Sequence, residues 1–392
     1  ALLRSSSAMD LAERYAHAFP ATYTETFPVE RAHQDIGRIE RLNADRPVAV
    51  DVYTSKDRDG EELRVAIYRL GGPMSLSERV PVLENLGFTV IDEQTFEISP
   101  QKAGSEKVVL HDMLLEPPAD VPIEALGDGD RIEDCFLAIQ RGATENDAFN
   151  RLVVAARLDW RQVSILRAYG AFLRQLGSAF GMRYVADTVV GHAPITRMLL
   201  ELFAIRFDPD RSDTTRANDE KVQRERIEAA LNAVQSLDED RILRQLLQLI
   251  QATVRTNVYR IGKDGLPPET IAFKFAGSAL SMAPEPRTFR EIWVWSPRVE
   301  AVHLRFAAIA NRFGRRWHHD IVAMDGNLAC RDRLELPEHP GECGSDEDCS
   351  SAGCGQEVCT TAAAAGTVVT SCEVRPCFGV VTGCGCHDGL CT

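Results

Sequence analysis

The sequence predicts an α+β chain: a small sheet-and-helix module, a helical bundle, a short β-rich segment and an irregular cysteine-rich tail. Three observations carry that expectation. Between residues 47 and 143, short β-branched runs alternate with two helix-forming stretches. From 145 to 260, apolar residues recur every three or four positions almost without a break, the period of an amphipathic helix. Ten of the eleven cysteines fall between Cys330 and Cys391.

Residues 1–46 form an N-terminal helical segment by the spacing of Leu11, Tyr15, Ala18 and Phe19, followed by the aromatic loop FPATYTETFP. Over 47–144 the strand signals VAVDVY and LRVAIYRL precede a helix from SLSERVPVLENLG, then FTVIDEQTFEI and KVVLHDMLL, then a helix from RIEDCFLAIQRG. Ser75 and Ser77 supply the N-cap of the first helix and Gly87 its C-terminal stop. The order βαββα predicts a ferredoxin-like, ACT-like unit with its helices on one face of a sheet. Residues 145–260 read as a bundle with short links, one of which, DPDRSDTTRANDE, is charged enough to be an exposed loop. Within DEDRILRQLLQLIQATVRTNVYR, at 238–260, Asp238 is the expected N-cap and Ile242, Leu243, Leu246, Leu247, Leu249 and Ile250 form a buried band. Arg255 and Asn257, at its polar end, are expected to serve a partner domain. Strands return over 261–335 in TIAFKF, REIWVWS and VEAVHLRFA; Trp293, Trp295 and Phe306 alternate as sheet core, and His303 reads as a partnered strand residue. The tail, 336–392, is small residues, glycine, proline and cysteine.

Composition narrows the function classes. With 44% hydrophobic and 26% charged residues the chain suits a globular core rather than disorder. A formal net charge of -14 opposes phosphate backbones and anionic lipid, and no apolar run approaches the roughly 20 residues of a spanning helix, so neither nucleic acid nor membrane is an expected partner. A single cysteine, Cys135, in the first 329 residues fits a reduced, cytoplasmic location. The N-terminus shows no secretory signal and no initiator Met, so the chain is expected to begin inside a longer reading frame.

Five collinear stretches resemble the large bacterial NAD-dependent glutamate dehydrogenases: PVLENLGFTVIDEQTFEI (81–98), GATENDAFNRLVVAARLDWRQVSILRAYGAFLRQLG (142–177), ELFAIRFDP (201–209), LDEDRILRQLLQLIQATVRTNVYR (237–260) and REIWVWSPRVEAVHLRF (290–306). That resemblance implies an N-terminal regulatory region with ACT-like modules and helical segments, followed by a substrate domain and a nucleotide-binding domain, with 238–260 at the junction. Intact members convert L-glutamate to 2-oxoglutarate and ammonium with NAD. In the family a run ending Ala-Arg-Gly-Gly-Leu-Arg-Trp-Ser-Asp-Arg helps form the substrate carboxylate site. The corresponding AAIANRFGRRWHHD matches at Arg316 and Trp317, is expected to match at Arg312, places Phe313 where a glycine is expected and keeps Gly314 as its one glycine. Arg312, Gly314 and Arg316 form a degenerate substrate-binding set.

No catalytic, NAD-binding or metal-binding residues are expected. There is no G-x-G-x-x-G and no G-x-x-x-x-G-K-[ST]; GDGD at 127–130 is a tight turn, and the adjacent His318, His319 and Asp320 lack metal-ligand spacing. In the tail, Cys343, Cys349, Cys354, Cys359, Cys372, Cys377, Cys384, Cys386 and Cys391 include no C-x-x-C pair, which favours disulfides over zinc. The tail faintly resembles secreted cysteine-cluster modules. Its join where the family match fails is read as a fusion or a shifted reading frame. The expected function is therefore that of a truncated or fused glutamate dehydrogenase chain lacking the catalytic core, with NAD a cofactor of the intact family and not of this chain. The alternative is a non-catalytic regulatory or interaction protein that takes a small amino-acid effector, forms a homo-oligomer, or docks on a full-length relative.

Overall fold

The computed structural model describes residues 10–305, except 58–59, 102–105, 128, 263–264 and 285–286, and residues 344–352, 358–363, 386–387 and 390–391 of the tail. Chain contacts separate two units, 1–303 and 304–392.

In the first unit, α1 (Ala21–Thr26) and α2 (Val29–Ile39) precede a sheet of β1 (Val48–Asp57), β2 (Gly60–Leu70), β3 (Thr89–Ile98) and β4 (Val108–Glu116) in the order β1-β2-β4-β3. All three pairings are antiparallel, and β1 and β2 pair from Val48↔Arg69 to Asp57↔Gly60. Between β2 and β3 runs α3 (Leu76–Leu86), opened by a Ser75–Glu78 capping box and closed by Gly87 at φ 102°, where a side chain would be strained. After β4 comes α4 (Asp130–Gln140).

The four strands that the sequence signals are all present, and the order is ββαββα rather than βαββα, with β1 paired along the outer edge of β2. Its helices α3 and α4 lie on one face, as expected, and the N-terminal segment covers the other. Val65, Ile67, Met113 and Leu115 face one core with α3 and α4, while Ala66, Tyr68, Phe96 and Leu110 face a second core with Tyr15, Tyr23 and Ile39. Strand β4 is buried along nearly its whole length, so both of its faces need cover, and the N-terminal helices provide the second. Part of the expected aromatic loop is accordingly the helix α1, whose Tyr23 packs edge-on against Phe96 at 5.4 Å.

The bundle contains α5 (Leu152–Ala155), α6 (Trp160–Gln175), α7 (Met182–Gly191), α8 (Ala193–Phe207), α9 (Asp213–Leu231) and α10 (Leu237–Ala252). The charged link read as a loop becomes helix from Asp213, because the Ser212 hydroxyl accepts from the Thr214 amide. The N-cap of α10 is Ser236 rather than Asp238; its hydroxyl accepts from Glu239, and Asp238 falls inside the first turn. The six apolar residues of the α10 band are all buried, as the spacing predicts.

Helix α10 stops at Ala252 and the chain passes directly into β5 (Thr253–Thr256) of a second sheet, with β6 (Ile271–Ala276), β7 (Arg290–Ser296) and β8 (Val299–Arg305) in sequential order. The expected helical reading to residue 260 is thus too long. Alternate residues of this sheet enter the bundle. Phe273 stacks on Tyr169 at 4.2 Å, Phe275 stacks on Phe172 at 4.5 Å, and Trp293 Nε1 donates to the Ala168 carbonyl at 3.0 Å. Trp293 and Trp295 are core residues as predicted, whereas Phe306 lies outside the described residues. One continuous hydrophobic core runs from Val50 in the first sheet through the bundle to Trp295.

The second unit holds two short antiparallel pairs, β9 (Cys349–Ala352) with β10 (Val358–Thr361), and β11 (Cys386–His387) with β12 (Leu390–Cys391). Cys349 is disulfide-bonded.

Candidate functional site

A cleft of about 650 Å³ opens between α2 and the β1 edge of the first sheet, lined by His33, Gln34, Gly37, Arg38, Arg41, Asp51, Tyr53 and Asp130. Its floor is an ion network. Arg31 Nη1 lies 2.8 Å from Asp51 and its Nε 2.8 Å from Asp35, its Nη2 donates to Tyr68 Oη at 2.9 Å, and its guanidinium lies 3.6 Å above the centre of the Tyr53 ring. Asp35, fully buried, accepts from Tyr23 and Tyr68. Burial raises the Asp35 carboxyl above its usual range, against the opposing pull of Arg31 and the two tyrosines. Arg38 bridges α2 to the sheet and to α4: it pairs with Asp51 and donates to Glu133 Oε2 at 3.1 Å, while Glu133 Oε1 accepts from the Val52 amide at 2.9 Å. Burial likewise raises Glu133.

The rim differs from the floor. Arg41, at the end of α2, and Asp130, in the first turn of α4, make no ion pair or side-chain hydrogen bond among the described residues, and neither do His33 and Gln34. Gly37 exposes bare backbone in the middle of α2, with open space where a Cβ would stand, although glycine there costs roughly 1 kcal/mol of helix stability relative to alanine. The rim therefore carries one unengaged cation, one unengaged carboxylate and an exposed helix backbone. Sequence reasoning missed it, because α2 and α4 are brought together across about a hundred residues by Arg38 and Glu133.

The predicted substrate set Arg312, Gly314 and Arg316 lies outside the described residues, as do Cys343, Cys354, Cys372, Cys377 and Cys384. Cys359 falls in β10, and Cys386 stands opposite Cys391 in the β11–β12 register. Among the described residues no group of three His, Cys, Asp or Glu side chains could hold a metal ion, and no single helix is long and apolar enough to cross a membrane. Dinucleotide binding needs a parallel strand–turn–helix unit with a glycine-rich turn. The pairings among β1, β2, β3 and β4, and those of β5 with β6 and β6 with β7, are antiparallel.

An antiparallel sheet thus shares its core with a helical bundle, and through it with a second sheet. Residue by residue the chain matches four family descriptions in collinear order: glutamate dehydrogenase helical motif 2 (5–42), glutamate dehydrogenase ACT3 domain (47–126), glutamate dehydrogenase helical motif 3 (144–209), and bacterial NAD-glutamate dehydrogenase catalytic domain (226–322). It belongs to the bacterial NAD-glutamate dehydrogenase family. It is 38% identical over 311 residues to the NAD-specific glutamate dehydrogenase of Halomonas elongata, 37% over 305 residues to that of Pseudomonas aeruginosa and 34% over 314 residues to that of Mycobacterium tuberculosis. These alignments cover 79%, 77% and 78% of this chain but 19% of each relative, so the chain spans about a fifth of the length of the curated relatives it matches. Residues 331–392 match the description CGP-CTERM domain protein.

Proposed function

We propose that this chain is the regulatory and domain-joining portion of a cytoplasmic NAD-dependent glutamate dehydrogenase, and that on its own it neither binds NAD nor deaminates glutamate. The observation that supports this role is the shared core: α10 and the second sheet lie within the catalytic-domain match, yet their side chains pack into the same apolar cluster as the ACT-type sheet. A change at that sheet therefore meets the opening of the catalytic domain through close-packed side chains, which transmit displacement poorly as compression and well as movement.

In this reading the α2–β1 cleft takes a small amino-acid effector, its carboxylate toward Arg41 and its ammonium toward Asp130. Further copies of the chain, or a full-length relative, are its protein partners. Isothermal calorimetry on the full chain tests both parts. Titration with each common amino acid is expected to give saturable binding for one small member in the micromolar-to-millimolar range. Arg41→Ala and Asp130→Asn should each weaken it at least tenfold, while NAD gives no heat of binding. Saturable NAD binding would overturn the non-catalytic reading; amino-acid binding indifferent to both substitutions would remove the cleft as its site.

A further inference from the structure

His111 lies on β4, on the face covered by α3, with 2% of its surface exposed. Its two ring nitrogens have different roles. Nε2 lies 3.0 Å from the Met74 amide, which can only donate, so Nε2 is the unprotonated acceptor. Nδ1 then carries the proton, 2.9 Å from Glu93 Oε1 and 3.1 Å from Thr95 Oγ1. The same Glu93 oxygen pairs with Nη2 of Arg79, a side chain that is 4% exposed and whose Nε and Nη1 have no hydrogen-bond partner. One carboxylate therefore already answers one buried cation. The other charge facing this cluster is Arg69 on β2, itself tied to Glu78 of α3 at 3.3 Å.

Position turns this chemistry into a device. Met74 immediately precedes Ser75, the N-cap of α3, so the imidazole holds the turn from which α3 starts. Helix α3 packs on α4 and on the turn Ala148–Arg151, the beginning of the bundle. We propose that His111 is an acid-triggered latch on α3: the neutral ring pins the Met74 amide to the sheet, and a proton on Nε2 replaces the acceptor by a donor, sets a second positive charge beside Arg79, and releases the 71–75 turn with the first turn of the helix.

Burial, and then the Arg79 charge, hold the His111 pKa below its ordinary 6.5, and the hydrogen bond to Glu93 does not offset them. The folded state thus binds this proton more weakly than the unfolded state. The stabilisation is complete above 6.5 and is lost as pH falls through the window between 6.5 and the lower folded value.

Hydrogen exchange with mass spectrometry on the full chain between pH 8 and 5, corrected for intrinsic rates, tests the latch. Peptides covering 71–80 should lose protection by up to about tenfold per pH unit within that window, one proton being taken up per opening, while peptides in α10 do not. His111→Gln, which can still accept from Met74 and does not titrate there, should be flat. Glu93→Gln removes the carboxylate that favours the imidazolium, lowers the folded end of the window and should extend the loss to lower pH with its onset unchanged; it decides the matter where His111→Gln fails to fold. Protection at 71–80 that is independent of pH in the native chain, a dependence that survives His111→Gln, or a loss that reaches no lower pH in Glu93→Gln than in the native chain overturns the proposal.

Discussion

Replacing Asn257 by alanine tests whether the polar end of the 238–260 stretch is already structural. Its Oδ1 accepts from the Ala272 amide at 2.8 Å and its Nδ2 donates to the Thr270 carbonyl at 2.9 Å, so one side chain bonds both sides of Ile271, the first residue of β6, and sets how that strand approaches the end of β5. Each such bond contributes about 0.5–1.5 kcal/mol net, so losing both in Asn257→Ala should cost about 1–3 kcal/mol. Arg255, exposed on β5 and without a side-chain hydrogen bond or ion pair among the described residues, should cost less than about 0.5 kcal/mol as alanine. Asn257→Asp keeps the acceptor and loses the donor, and should fall between them. In urea, with a slope of about 3 kcal/mol/M for a unit of this size, Asn257→Ala should move the midpoint down by roughly 0.3–1 M and Arg255→Ala hardly at all. Equal midpoints for the two alanine variants would refute the argument. The sequence had led us to expect both residues to be idle without a partner domain; the two bonds of Asn257 correct that expectation for this residue.

Leu246 is 1% exposed in the band of α10, and Leu246→Asp should cost several kcal/mol by placing an unpaired charge in a dry core; a melt unchanged from the native chain would sink the buried-band reading. A Cβ at Gly277 would stand 2.0 Å from the Thr288 carbonyl oxygen, so Gly277→Ala must push apart the backbone beside β6 and β7, and a lowered thermal midpoint is the expected result, with native stability the contrary one. Chain produced under oxidising conditions should show by intact-mass measurement a loss of about two daltons per bridge among the tail cysteines and no stoichiometric zinc; thiols free throughout, or one zinc per chain, would count against disulfides.

The sequence alone determined what depends on neighbours in the chain. The α10 band is legible because apolar residues at three- and four-residue spacing can be satisfied only by burial, and the α3 cap because Ser75, Glu78 and Gly87 act within one helix. The family was legible for a related reason: five collinear stretches preserve residue types in order, which needs no coordinates. Two local misreadings, Asp238 for Ser236 as N-cap and a loop at 213–220, came from several polar residues competing for one capping role. Only the tertiary structure decided the cover on the second face of the sheet, the cleft between α2 and β1, and the latch at His111. Each depends on groups far apart in sequence: Arg38 reaches Glu133 across 95 residues, and His111 reaches Met74 across 37. The strength of such contacts comes from exclusion of water and from one exact orientation of donor to acceptor, and the folded packing alone sets both.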